Sequence, residues 1–382
     1  MPQSRQRLSS RTLRRQNSTP ACPGMKERTV VLRFMLTLAL ILTGALAAAE
    51  DPGPALWRGL KQAPPAAGVN PERQKALRAL DKWLAAADSE TDPAVVAYYQ
   101  RAVDHVLDQL EDEPVAAGVR VFQLYSSSAV VQTPETVFAF DLDQGPNRSL
   151  SKPPEEEGVP LRMTDAQVSR LAELVEVSFH THEHNDHVDY ELVRALAAAG
   201  KTVVVTESNR ERWTDQPWSG KLTVLEQTLE KPHTLGPLKV DVLHDFQWDD
   251  KAHTSGTPCN AYLVTTRDGV GVLTKGDINS GTDLYAWLEK MTARGRRVDL
   301  VLGTPLFWRG PDLTREIDAL LEPVWCVGHV WEFTHRKSGE RGGATGTYAM
   351  NVFSLRRQVR AGAALVLSWG EHFDFAPAAA AQ

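Results

Sequence analysis

Apolar positions between residues 70 and 114 recur at helical spacing. Asn70 followed by Pro71 makes an N-cap and first-turn pair, after which Ala76, Leu77, Leu80, Trp83 and Leu84 share a face. A second helix is predicted from Asp92-Pro93, with Val96, Tyr99, Val103, Val106, Leu107 and Leu110 on one side, ending before Pro114. The pair reads as a helical hairpin whose apolar stripes need a partner surface. From Val119 the period becomes two: VRVFQLY, VVQT and TVFAFDL, separated by Ser and Pro-Glu turns, predict an antiparallel meander. Thr164 with Gln167 is a capping box, and Val168, Leu171, Leu174 and Val175 continue it as a helix face. Next come a strand VEVSF, a helix YELVRALAAAG ending at Gly200, and a strand KTVVVT. The short apolar segments LKVDVL, NAYLVTT, GVGVLT, VDLVLG and PVWCVGH follow, with TREIDALL and NVFSLRRQV as helices between or after them. Alternating strands and helices after an antiparallel start predict an α/β protein with sheet layers covered by helices.

Composition narrows the class. Of 382 residues, 42% are hydrophobic and 24% charged, ordinary values for a globular chain. The net charge is −6, but residues 1–49 hold eight Lys/Arg and one acid, so the remainder carries −13. A body that acidic offers no cationic field to a phosphate backbone, which argues against nucleic acid as a partner. From Met25 the order is a charged start, an apolar run over 34–42, and small residues at Ala45, Ala47 and Ala49, the order of a cleaved signal peptide. The run is too short to span a bilayer, so export to a periplasm or the exterior is expected, with no stable membrane span. The organisation expected is a leader over 1–49, a Pro/Ala-rich linker over 51–69 with the helical hairpin (together 50–114), and a main domain over 115–382. Glu155-Glu156-Glu157 reads as a solvated patch. Cys259 and Cys326 are expected as buried thiols, one disulfide being the alternative.

The chemistry concentrates in one place. Four of the eleven histidines fall within eight residues, in His180-Thr-His182-Glu-His184-Asn-Asp186-His187. In an extended segment, residues i and i+2 project to the same side, so His182 and His184 present two imidazoles to one cation. Asp186 and His187 follow where the chain can turn to serve a second. Neutral imidazoles with a carboxylate suit zinc or iron, and an incomplete protein shell leaves room for water.

His182-x-His184-x-Asp186-His187 resembles the HxHxDH signature of the metallo-β-lactamase fold superfamily. The resemblance implies an αββα sandwich, here with an N-terminal helical hairpin, and one or two metal ions. Two Zn2+ are expected, with iron or manganese as alternatives. It further implies three downstream ligands. Gly276-Asp277 matches a strand-end Gly-Asp whose carboxylate bridges the ions. His329 matches a late His, with His335 its competitor. For the remaining His the chain offers His244, ending LKVDVLH, and His253. His244 is preferred, because a ligand fixed at a strand terminus loses less entropy on ordering than one in a loop. The expected set is His182, His184 and His244 on one ion, Asp186, His187 and His329 on the other, and Asp277 between them.

A water held between two cations loses its proton near neutral pH, which implies metal-dependent hydrolysis of an ester, lactone, amide or phosphodiester in a small or lipid-like substrate. Asp186 is assigned a second, catalytic role in steering or deprotonating that water. Iron-dependent oxygen or sulfur chemistry, and a non-catalytic metal-binding relative, are the alternatives. His187-Val188-Asp189 and the gap before Asp277 resemble the branch containing ascorbate phosphate lactonases and the phospholipase D acting on N-acyl phosphatidylethanolamine. Asp189 is read either as a hydrogen-bond support for a ligand histidine or as a helix N-cap. His180 is read as a neighbour and His105, His233 and His372 as structural or loop residues. Trp248, Trp308 and Trp331, with Glu332 and His335, are candidates for a pocket mouth. Lys275 departs from the pattern unless it points away from the ions.

Overall fold

The computed structural model describes residues 53–87, 91–146, 161–228, 230–248, 255–279, 281–303, 311–330, 348–349 and 355–376. The leader, Glu155-Glu156-Glu157, His253, Trp308, Trp331, Glu332 and His335 lie outside them, as does part of the helix expected from NVFSLRRQV.

Helix starts follow local capping chemistry. Helix α1 (Gly53–Gln62) is a correction, since this stretch reads as linker; Leu60 is buried there and Trp57 meets Tyr98 edge-on at 5.7 Å. Helix α2 (Pro71–Ala86) opens with Asn70 Oδ1 accepting from the Arg73 amide at 3.1 Å, and α3 (Pro93–Asp112) with Asp92 Oδ1 accepting from Ala94. In α4 (Asp165–Leu174) both halves of the Thr164/Gln167 capping box form. The hairpin of α2 and α3 finds its partner surface in the main domain: Tyr99 packs edge-on against Trp369 at 5.1 Å and Tyr125 at 6.0 Å. Pro52–Gln382 is one compact unit.

The first sheet contains β1 (Val119–Gln123), β2 (Ala129–Gln132), β3 (Val137–Phe140), β4 (Val177–Phe179), β5 (Thr202–Val204), β6 (Leu222–Thr223) and β14 (His372–Phe375), ordered β14-β1-β2-β3-β4-β5-β6. The β14-β1-β2-β3 part is antiparallel, as the meander predicts, and β3 to β6 run parallel. The second sheet contains β7 (His233–Leu235), β8 (Leu238–Trp248), β9 (Gly256–Thr265), β10 (Gly271–Thr274), β11 (Leu300–Gly303), β12 (Val324–Val327) and β13 (Ala364–Val366), ordered β13-β12-β11-β10-β9-β8-β7. Here β7 to β10 are antiparallel and β10 to β13 parallel.

Alternation on each strand drives one face of each sheet inward. Val121, Val131, Phe138, Phe140 and Phe179 meet Val240, Val242, Tyr262, Val264 and Val272 in an apolar layer between the sheets. Helix α5 (Tyr190–Ala198) packs on β5, and α7 (Thr282–Ala293) packs on β8 and on α8 (Pro311–Leu321). A short α6 (Glu207–Arg212) follows β5. The arrangement is an αββα sandwich. Parallel β3-β4 in one sheet and β10-β11-β12 in the other bring five strand ends to a common edge, where ligands bind in open α/β sheets.

Candidate metal centre

Three loops at that edge carry the chemistry. Beyond β4, His180-Thr181-His182 leads through His184, Asp186 and His187 to Asp189, which caps α5 by accepting from the Glu191 and Leu192 amides. Asp189 also accepts from Gln144 Nε2, so the N-cap reading describes it. After β10 comes Asp277, and after β12 comes His329. Among the described residues, two groups of donor atoms lie within 4.8 Å of one another: His182, His187 and Asp277, and Asp186, His187 and His329. His187 belongs to both. Its Nε2 is 3.5 Å from Asp277 Oδ1 and 3.9 Å from Asp186 Oδ2, while His329 Nε2 is 2.8 Å from Asp186 Oδ2. His184 stands beside them, its ring 4.6 Å from that of His182 and its Nε2 3.4 Å from Thr257 Oγ1.

Backbone geometry is committed to this arrangement. A Cβ on Gly276, whose φ is +50°, would stand 2.6 Å from Thr181 and 2.8 Å from Cys259 Sγ, so only glycine lets the Asp277 loop approach the histidine loop. Among the described residues, Ser126, Asp141, Glu322 and His329 are the non-glycine positions with positive φ, and three of them meet here. Such strain gathers where surrounding contacts over-determine it, typically at functional sites.

Asp141, beyond the end of β3, is a residue that the sequence reasoning passed over. It is buried, and its Oδ1 accepts from the Thr181 amide at 2.7 Å while its Oδ2 lies 3.0 Å from both Thr181 Oγ1 and His187 Nδ1. With Nδ1–H donated to that carboxylate, the lone pair of His187 Nε2 is presented to the centre. The available signal was only its place after an apolar strand. Asn209 Nδ2 supports the His182 carbonyl at 3.2 Å, and Gln247 Nε2 holds Asp277 Oδ2 at 3.3 Å.

His244 is a correction. The segment read as a strand ending at that histidine runs on to Trp248, paired throughout with β9, and places His244 opposite Asn260 inside the strand. Its side chain is exposed and its Nε2 meets the Leu225 carbonyl at 2.9 Å, outside both donor groups. His244→Ala is therefore expected to leave metal content and activity within about twofold of wild type, checked by elemental analysis and turnover. His233 begins β7 and meets the Glu226 carbonyl; His372 meets Gln109, and His105 meets Lys61. Buried His180 braces the His187 carbonyl through Nδ1 at 3.1 Å and joins neither donor group. Lys275 turns away from the centre, its Nζ 3.1 Å from the carbonyl oxygens of Gly276 and Ile278. Trp248 stacks on Phe246 at 4.6 Å, and Asn279 bonds its backbone on both sides. Cys259 and Cys326 are free, buried thiols, and burial raises both pKa values.

Electrostatics fit a cation. His182 Nε2, His187 Nε2 and Asp277 Oδ1 are buried without a hydrogen-bond partner, a costly state that a cation held among them relieves. Burial holds the His182 and His184 pKa values down, His182 well below the usual imidazole value. For His187, burial alone would lower the pKa, but Asp277, Asp141 and Asp186 outweigh it and raise it well above the usual value. Burial would raise the Asp277 pKa, yet His329, His187 and His182 hold it well below the ordinary carboxylate range. A nitrogen and oxygen donor set of this kind accepts zinc, iron or manganese.

No family model matches the chain, and no curated protein matches it. Solved structures do. An isothiocyanate hydrolase from Delia radicum gut bacteria is 16% identical, with 67% of this chain and 99% of that one covered and a TM-score of 0.47. The metallo-β-lactamase fold protein YhfI from Bacillus subtilis is 12% identical, covering 68% of this chain and all of that one, with a TM-score of 0.43. CmlA, a diiron β-hydroxylase from Streptomyces venezuelae, is 20% identical over 69% of this chain and 55% of that one, at 0.44. These likenesses are distant.

Proposed function

We propose that this chain is an exported metal-dependent hydrolase that binds two divalent cations at the sandwich edge and cleaves an ester, lactone, amide or phosphodiester bond. The observation carrying it is the convergence of His182, Asp186, His187, Asp277 and His329 from three separate loops, with His182 Nε2, His187 Nε2 and Asp277 Oδ1 buried without a hydrogen-bond partner. Export rests on the order of charged, apolar and small residues from Met25. Among the described residues no helix is long and apolar enough to cross a membrane.

In this reading His182, with His184 beside it, takes one cation, and Asp186 and His329 take the other. His187, which offers only Nε2, would join Asp186 and His329, and Asp277 would lie toward both. Bound ions supply Lewis acidity for the scissile group and bring the pKa of water near neutrality. Asp141 keeps His187 in the tautomer that presents Nε2. Asp186, its main-chain oxygen held by Ser127 Oγ and its Oδ2 against His329 Nε2, would receive the proton that the attacking water gives up. Hydrolysis across a panel of esters, lactones, amides and phosphodiesters, lost on chelation and restored by Zn2+, tests the reading. Two bound ions without turnover on any of them contradict it.

The raised His187 pKa gives a pH prediction with a definite sign. Below that pKa the metal-free protein holds a proton on His187, which an incoming ion must displace. Apparent affinity therefore falls as pH falls, about tenfold per unit for each proton displaced, and levels off above that pKa. Calorimetry in buffers of different ionisation enthalpy checks this by counting the protons released.

A further inference from the structure

Behind His329 lies a buried amide that ties the helical layer to the centre. Gln123, the last residue of β1, is 3% exposed, and its Nε2 lies 2.7 Å from the Ser126 carbonyl and 3.1 Å from that of Ser128. The Ser126 carbonyl also accepts the His329 amide at 2.9 Å. Ser126 and His329 both have left-handed φ, +46° and +57°, a conformation that residues bearing a Cβ keep only where contacts impose it. Gln123 supplies those contacts from one side. A Cβ on Gly328, the residue before His329, would stand 3.4 Å from Gln123 Oε1, so the same amide bounds the approach to the ligand loop.

The Gln123 backbone is itself pinned. Its N–H donates to Glu371 O at 3.0 Å and its carbonyl accepts from Gly370 at 2.9 Å, while the Glu371 carboxylate is paired with buried Arg73 of α2. A connected set therefore runs from α2 through Glu371, Gln123 and Ser126 to His329, whose ring meets Asp186.

We propose that Gln123 is a positioning residue for the second cation: its amide holds the Ser126 carbonyl where it fixes the His329 backbone and aims that imidazole at the Asp186 side of the centre. The inference rests on the two-ion reading above. The role requires a side chain that donates to two carbonyls at once. Glutamate has the shape without the donors, and methionine has the length without either polar group.

Full-length Gln123→Glu and Gln123→Met are dialysed against Zn2+, analysed for metal per chain, and titrated with a competing chelator. Gln132→Met serves as control, because Gln132 is another buried amide on this sheet, donating to Leu110 rather than toward the centre. Wild type is expected to hold two ions; both Gln123 variants keep the first and release the second at least about tenfold more readily, while Gln132→Met matches wild type. Should Gln123→Met not fold, the isosteric Gln123→Glu decides. Two ions held at wild-type affinity in the Gln123 variants, or equal loosening in Gln132→Met, overturns the positioning role alone. Wild type that binds fewer than two ions overturns the two-ion reading and this inference together.

Discussion

Asp277→Ala is expected to lose metal and to lower turnover about a thousandfold or more. Asp277 faces two imidazoles: its Oδ1 is buried without a hydrogen bond, 3.5 Å from His187 Nε2 and 3.9 Å from His329 Nδ1. Its other oxygen is held by Gln247. Removing it takes away a negative charge that lies between two imidazole groups, and leaves His182 and His187 with no shared anionic partner. Lewis-acid stabilisation by bound ions is worth several kcal/mol, and about 4 kcal/mol corresponds to a thousandfold in rate. Metal analysis and turnover, measured on the same preparation, check the expectation. Asp277→Ala that retains two ions and near-wild-type turnover contradicts the proposed part of Asp277 in holding metal.

Gly276→Ala has the second largest expected effect, and it acts through shape rather than charge. The new methyl group meets Thr181 at 2.6 Å and Cys259 Sγ at 2.8 Å, distances that force one of the two loops to move. Thr181 cannot yield freely, because its amide and hydroxyl are bound to Asp141, which also orients His187. A left-handed φ adds roughly 1–2 kcal/mol for any residue with a Cβ, and overpacking adds about 1–3 kcal/mol. The expected outcome is a loss of about 2–5 kcal/mol in unfolding free energy, read by chemical denaturation, with metal affinity falling alongside. A variant as stable as wild type with both ions retained would show that the two loops do not need this contact.

The elements legible in the sequence are those whose cause is local. Asn70, Asp92, Thr164 and Asp189 each mark a helix start because capping involves only a few successive residues. His182, Asp186 and His187 of the HxHxDH run, with Asp277 and His329, whose donor atoms the fold brings together without those of His184, were legible for a related reason: each stretch sits just past an apolar strand, where a sharp turn follows. His244 failed because strand length is settled across the sheet. DFQW continues β8 only because β9 pairs with it as far as Gly256, and nothing within the segment records that partner. Of the two histidines weighed in that stretch, His253 is then the remaining candidate, and it lies outside the described residues. Asp141 and Gln123 were invisible for the same kind of reason. Their roles depend on a left-handed turn at a strand end and on carbonyl groups brought near by neighbouring loops. Helix α1 escaped notice because a short Pro-flanked segment becomes helical through burial of Leu60 and the contact of Trp57, which propensity alone does not disclose.

The most direct measurement is a crystal structure of the Zn2+-loaded protein with anomalous scattering collected on both sides of the zinc edge. Two anomalous peaks are expected, one beside His182 and Asp277 and one among Asp186, His187 and His329. Peaks that lie elsewhere, or a loaded crystal with none at these residues, would contradict the account.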